Sequence, residues 1–230
     1  MMIEPSKGAM TNPAHSMKML EAIQLVKQQI LPYRTLMTYY TCAMMEIETK
    51  LKVLNEEFSL REDRNPIESI KTRLKSVDSI AEKLLRLNLP IDLVSMEQNL
   101  NDIAGIRVIC SFPQDVYDVA EALARQDDLT VLACKDYIAQ PKENGYRSLH
   151  MIVQVPIFLE NEKRPVKAEI QLRTIAMDFW ASLEHQLSYK KELPPDQEEA
   201  LQQELRLCAE QSAELDRRME KIRHTILSAK

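Results

Sequence analysis

Glycine is nearly missing from this sequence, with 3 in 230 residues, and aromatic residues make up only 5%. A chain with so little glycine has few left-handed or backbone-crowded positions, so each remaining glycine marks special geometry. Gly8 falls in a Pro-, Ser- and Asn-containing start; Gly105 and Gly145 are read as bends beside a binding site. Positive charge is not in excess either: 30 Lys and Arg stand against 35 Asp and Glu, for a net charge of -5. Nucleic-acid binders usually carry a basic footprint, so nucleic acid is not expected as the main partner. Single-stranded RNA stays open as a regulator, and a local basic pocket for a small polyphosphate is not excluded. The 4 cysteines, Cys42, Cys110, Cys134 and Cys208, are dispersed without a CxxC pair. That argues against a zinc site and for free thiols in a reducing compartment. No apolar run is long enough to span a bilayer, and the N-terminus lacks the apolar core of a secretory signal. A cytoplasmic protein with no membrane partner is expected. HExxH, GxSxG and Walker signatures do not occur, which disfavours zinc proteases, serine hydrolases and P-loop enzymes.

What is present is a mixed α/β core between two long helical regions. Residues 1–16 read as a disordered tail. Over 17–64, Ile23, Val26, Ile30, Tyr33, Met37, Tyr40, Met44, Ile47, Leu51, Leu54 and Phe58 keep a three-four spacing. Pro32 is predicted to end or kink the first helix. Over 191–230, after Pro194-Pro195, Leu201, Leu205, Cys208, Leu215, Met219, Ile222 and Ile226 keep the same rhythm. Both stripes suit packing within the chain; such long seams also suit contacts between subunits, and self-association is expected ahead of a monomer.

In the core, residues 65–190, Asn65 as N-cap with Pro66 and Glu68 predicts a helix over 66–87. Strands are predicted over 103–110, 129–134, 149–155 and 166–173, and helices over 114–125 and 175–190. Strands 149–155 and 166–173 flank a charged turn and read as an antiparallel hairpin.

Five places could carry chemistry. On the first core helix, Lys75, Ser79, Lys83 and Arg86 gather on one face with Arg73 on its flank. Cations and a hydroxyl there would suit a triphosphate, though a solvated basic face is the more ordinary reading. Asp102 precedes a strand and Gly105, at the mouth of the sheet or in a simple turn. Arg107, inside that apolar strand, needs a partner, which a nucleotide could be. Glu169, Gln171 and Arg173 would share a sheet face with His150 and Gln154 of the neighbouring strand. Asp102 and Glu169 together would supply two carboxylates for one magnesium ion. Asp178, Ser182, His185 and Tyr189 line one face of the following helix, with Trp180 in its apolar stripe. Around the Asn144-Gly145 turn, Tyr146 could stack a purine and Lys135, Lys142 and Arg147 could hold phosphates.

The order of these pieces carries a resemblance. RLKSVDSIAEKLLR, DIAGIRVIC, KDYIAQPKENGYRSLH and VKAEIQLRTIAMDFWASLEHQLSYK follow one another. The chain resembles the (p)ppGpp synthetase domain of the RelA/SpoT superfamily, as a small alarmone synthetase, RelP-like more than RelQ-like. The resemblance implies an α+β nucleotidyltransferase-like core with a mixed sheet of about five strands flanked by helices. It implies a pyrophosphokinase that moves the β,γ-pyrophosphate of ATP to the 3′-hydroxyl of GDP or GTP, with Mg2+ as cofactor. Carried over by motif, Arg73, Lys75, Ser79, Lys83, Arg86 and Arg107 would bind ATP. Lys135, Lys142, Tyr146, His150, Gln171, Asp178 and His185 would bind GDP or GTP, with Tyr146 stacking guanine. Glu169 would be the base, and Asp102 and Glu169 the magnesium ligands. No His-Asp dipeptide of the family's hydrolase domain occurs, so synthesis without hydrolysis is expected. The resemblance also implies a homotetramer with helices at its contacts. In the RelQ-like branch an aromatic residue before the first motif serves pppGpp activation; here that position is Ser69. A different class of reading is a regulatory protein that keeps the fold, binds nucleotide or RNA, and lacks the chemistry.

Overall fold

The computed structural model describes residues 13–62, 64–188 and 195–229. Of the expected tail, residues 1–12 lie outside the described residues, as do Tyr189 and Pro194, while Pro13 already opens a helix. By its contacts the chain divides into two units, 1–38 and 39–230. Helix α1, Pro13–Glu62, runs through Pro32 rather than ending there. An interior proline costs about 3 kcal/mol, which the many turns on either side of it offset. In the first unit Thr38 donates its hydroxyl to the Arg34 carbonyl at 2.9 Å.

In the second unit, the rest of the α1 stripe turns inward. Tyr40, Met44, Ile47, Leu51 and Leu54 are buried, Ile47 and Leu51 completely. This stretch is therefore core packing within the chain. Its Lys50 pairs with Asp128 at 2.6 Å, and Asn55 Oδ1 accepts the Ile67 amide at 3.1 Å.

The main correction to the sequence reading falls at 66–87. This stretch is not one helix but strand β1, Ile67–Leu74, followed by helix α2, Val77–Arg86. The apolar spacing of Ile67, Ile70 and Leu74 fits a helix over only two turns. Pairing decides otherwise: β1 lies antiparallel on β2, Ala104–Cys110, from Ile67 opposite Cys110 to Leu74 opposite Ala104. Ser76, extended, then caps α2 by accepting the Ser79 amide at 3.3 Å. Helix α3, Leu93–Asn99, was not foreseen; Asp92 caps it by accepting the Ser95 amide at 2.7 Å. After β2 come α4, Pro113–Ala124, with Pro113 in its first turn, and β3, Thr130–Asp136. The hairpin of β4, Leu149–Phe158, and β5, Lys163–Thr174, is antiparallel as expected, from Leu149 opposite Leu172 to Phe158 opposite Lys163.

The sheet has five strands in the order β1-β2-β5-β4-β3, with β2 and β5 parallel. Alternation gives it two different faces. Ile106 and Val108 of β2, Met151 and Val153 of β4, and Ala168, Ile170 and Leu172 of β5 are buried. Buried Val116, Val119 and Leu123 of α4 belong to the same core, and α4 packs on β5 and β2. The polar face is left for the site. Helix α5, Ile175–Ser188, follows β5, and α6, Pro195–Ser228, packs on α5. Leu205, Ala209 and Ala213 are the buried apolar positions among the described residues of α6, and the Trp180 indole donates to the Leu205 carbonyl at 2.8 Å.

Candidate active site

Strand register sets one row of side chains across the whole polar face. Lys71 of β1 stands opposite Arg107 of β2, Arg107 opposite Gln171 of β5, Gln171 opposite His150 of β4, and His150 opposite Lys135 of β3. The adjoining row runs from Arg73 through Gly105 to Glu169 and Ile152. Gly105 is therefore not a bend but a flat strand residue, and a Cβ there would meet the Arg73 carbonyl at 3.4 Å. A cavity of about 430 Å³ opens on these rows, lined by residues including Arg73, Lys75, Ser79, Asp102, Arg107 and Glu169.

At one end of the cavity, Lys75 and Lys83 converge on Asp102 Oδ2 at 2.7 and 2.8 Å. Burial would push the Asp102 carboxyl up; the hydrogen bonds and charges of the lysines outweigh it and hold the group below its ordinary value. Asp102 Oδ1 is buried without a hydrogen-bond partner. A buried acceptor left unpaired is costly, so this atom is suited to a cation. Among the described residues no three acidic, His or Cys side chains form a metal cluster. Magnesium commonly takes one or two carboxylates and completes its shell with water and phosphate oxygens. Asp102 and Glu169 on one cavity fit that ion.

At the other end, both oxygens of Glu169 have a polar partner. His150 Nδ1 lies 3.2 Å from Oε1, and Gln171 Nε2 donates to Oε2 at 3.0 Å. Burial alone would raise the Glu169 carboxyl; the hydrogen bonds from His150 and Gln171 dominate and lower it. His150 Nε2 lies 2.8 Å from the Tyr146 hydroxyl, so this tyrosine and the carboxylate share one imidazole. Tyr146 itself follows a tight turn: the Gly145 amide donates to the Lys142 carbonyl at 2.8 Å, and the Tyr146 amide to Asn144 Oδ1 at 3.1 Å. Lys142 Nζ stands 4.8 Å from the Tyr146 ring centre and 4.9 Å from that of Tyr137.

Of the residues singled out from sequence, Arg73, Lys75, Ser79, Asp102, Arg107, Glu169 and Gln171 line the cavity, and Lys83 reaches it through Asp102. Tyr146, Lys142 and His150 join at its edge, and Lys135 is exposed opposite His150. Arg86 and His185 are exposed and do not line it. Arg107 is half-exposed rather than buried, and its partner is Asp178 at 3.3 Å. Asp178 also holds Arg173 at 3.2 Å and Lys71 at 3.8 Å, so it anchors cations from three strands. Lys71 and Tyr137 were missed as site residues, and Arg173 was placed on the shared sheet face without a role. Lys71 would have been found by reading 67–74 as a strand, where it shares a face with Arg73. Arg173 carried a signal too: it continues a polar strand face to the point where the core closes.

Residues 72–193 match the family described as "Region found in RelA / SpoT proteins". The GTP pyrophosphokinase YwaC of Bacillus subtilis is 47% identical over 180 residues, which cover 78% of this chain and 85% of that protein. The crystal structure of the small alarmone synthetase 2 from Bacillus subtilis matches with a TM-score of 0.74 at 42% identity, covering 84% of this chain and 98% of that one. That of the small alarmone synthetase 1 from Bacillus subtilis, bound to its product pppGpp, matches with a TM-score of 0.72 at 38% identity, covering 81% and 94%.

Proposed function

Since this chain belongs to the RelA/SpoT family, we propose that it is a (p)ppGpp synthetase whose reaction runs in the cavity on the polar sheet face. It transfers the β,γ-pyrophosphate of ATP to the 3′-hydroxyl of GDP or GTP, giving ppGpp or pppGpp and AMP, in stress signalling. The observation that carries this reading is one cavity holding Arg73, Lys75, Asp102, Arg107 and Glu169, with Tyr146 tied to Glu169 through His150.

ATP lies on the cationic end. Arg73 and Arg107 are diagonal neighbours on paired strands, a separation of about 7–8 Å that admits a planar base between two guanidinium groups. Lys75, Lys83 and Ser79 face the phosphates; the two lysines exchange part of their hold on Asp102 for phosphate oxygens. Asp102 and Glu169 would hold magnesium, which would neutralise phosphate charge as the pyrophosphate moves. Pyrophosphate transfer depends mainly on positioning and electrostatics. The acceptor guanine stacks on Tyr146, with Lys142, Lys135 and His150 toward its phosphates. Glu169, held ionised by its two donors, takes the proton of the 3′-hydroxyl as the O3′–Pβ bond forms and the bond from Pβ to the AMP oxygen breaks.

The enzyme works as a homotetramer through the outer stripe of α6. Leu215, Met219, Ile222 and Ile226 are 50 to 57% exposed in the single chain and repeat at helical spacing, as a helix seam requires. Ser69 in place of an aromatic residue weighs against activation by pppGpp. Among the described residues no helix is long and apolar enough to cross a membrane. Incubation with ATP, GDP and magnesium, followed by one chromatogram, tests the reading: AMP and ppGpp appear together in equal amounts. Nucleotides bound but unchanged would overturn it in favour of a binding protein.

A further inference from the structure

We propose that Arg173 is a positioning residue that sets the direction of every hydrogen bond around Glu169. The inference rests on Glu169 being the base of the proposed reaction. Arg173 is 4% exposed, at the end of β5. Its Nη1 is tied to Asp178 Oδ1 at 3.2 Å. Its Nη2 donates twice, to the Tyr146 hydroxyl at 2.6 Å and to Gln171 Oε1 at 2.9 Å.

A guanidinium has donors and no acceptor, so the polarity of everything it touches is fixed. On one arm, the Gln171 atom facing Arg173 must be the carbonyl oxygen, which turns Gln171 Nε2 toward Glu169 Oε2. On the other arm, the Tyr146 oxygen accepts from Arg173, so its single proton points at His150 Nε2. In the neutral ring Nε2 is then the acceptor and Nδ1 carries the hydrogen, which donates to Glu169 Oε1. The opposite tautomer would set a lone pair against a carboxylate oxygen. Both arms start at one nitrogen and end as donors on the two oxygens of the same carboxylate. Asp178, by holding Nη1, aims Nη2 at the branch point. Without Arg173, the Gln171 amide and the Tyr146 hydroxyl could each reverse, and Glu169 would keep no fixed orientation. Buried networks of this kind specify orientation through the members that are paired; here both Nη atoms of Arg173 are paired, while its Nε is buried without a hydrogen-bond partner.

The substrate-free chain, labelled with ¹⁵N-histidine, provides a direct readout in long-range ¹H–¹⁵N spectra at mildly alkaline pH. The His150 signal is assigned by its loss in His150→Gln. The expected result is the Nδ1–H tautomer in the native chain and a mixture of tautomers in both Arg173→Met and Tyr146→Phe. An Nε2–H tautomer in the native chain, or spectra unmoved by both substitutions, would overturn the proposal. If Arg173→Met does not fold, Tyr146→Phe decides alone, since it removes one arm and leaves Arg173 in place.

Kinetics give the second readout. Arg173→Met lowers kcat by about 10–100-fold, as loss of a supporting partner typically does, and leaves the KM for ATP unchanged. Arg173→Lys keeps the charge but not the fork and falls in between; full activity in that variant would sink the proposal. Adding Tyr146→Phe to Arg173→Met costs little more, because the arm is already broken. If the native chain made no ppGpp, the proposed function would fall, while the tautomer result, read without substrate, would stand on its own.

Discussion

A Cβ placed on Gly145 would stand 2.5 Å from the Cβ of Ala209, and Gly145 has a φ of +90°. The acceptor loop is thus pressed onto helix α6 at a point where only glycine fits. Gly145→Ala must shift the loop away from α6 and strain its backbone, at about 1–3 kcal/mol. Since Tyr146 is the next residue, the KM for GDP or GTP rises while that for ATP stays near its native value. Thermal melting and two substrate titrations check both parts.

Glu169→Gln removes the proton acceptor but keeps the shape of the side chain. Turnover falls by about 10²–10⁴, the usual contribution of a positioned base, with nucleotide binding retained. Single-turnover assays beside calorimetric titration separate the two; an active variant would show that the proton leaves by another route.

Tyr146→Ala removes the stacking platform. A base on an aromatic face is worth about 1–3 kcal/mol, so affinity for the guanine nucleotide drops by about 5–150-fold. The ATP side changes less. Equal losses for the two nucleotides would count against stacking.

Asp216, in α6, accepts from Thr174 Oγ1 at 2.5 Å in a buried position. Burial raises its carboxyl above the ordinary value, against the lowering effect of that hydrogen bond. A carboxyl raised on folding favours the folded state when protonated, and that contribution is lost as pH rises through the folded value. Asp216→Asn keeps an acceptor for Thr174 without the charge. Its melting temperature relative to the native chain therefore climbs from pH 4 to pH 8; a constant difference would show that Asp216 is not under strain.

Met219→Asp together with Ile222→Asp places charge on the outer stripe of α6. Light scattering should then report a smaller assembly than the native chain gives. A native chain that runs as a monomer would remove the tetramer from the account.

Much of the sheet was legible because its strands alternate strictly. Val166, Ala168, Ile170 and Leu172 read as an inner face from sequence and are all buried. The long stripe of α1 was also legible, but its destination was not: Tyr40 to Leu54 pack inside the chain. On α6 the stripe splits, with Leu205 inward and Leu215, Met219, Ile222 and Ile226 outward. Spacing reports that a face is apolar and does not report what covers it. Strand β1 was lost to a competing period, since Ile67, Ile70 and Leu74 fit a helix in isolation and only β2 offers the partner that makes them a strand.

The motifs around Asp102, Lys142–Tyr146 and Glu169 were fixed by residue type and order, because carboxylate, cation and aromatic ring are properties of the side chains themselves. Direction and company were decided in three dimensions. Arg173 donates to Tyr146 and to Gln171, each a link toward Glu169, because β4 and β5 pair in one register, with His150 opposite Gln171. Asp178, on α5, binds Arg107 rather than standing alone, because β2 and β5 are parallel neighbours. Hydrogen bonds act over about 3 Å, and positions far apart in the chain come that close only through strand pairing and helix packing.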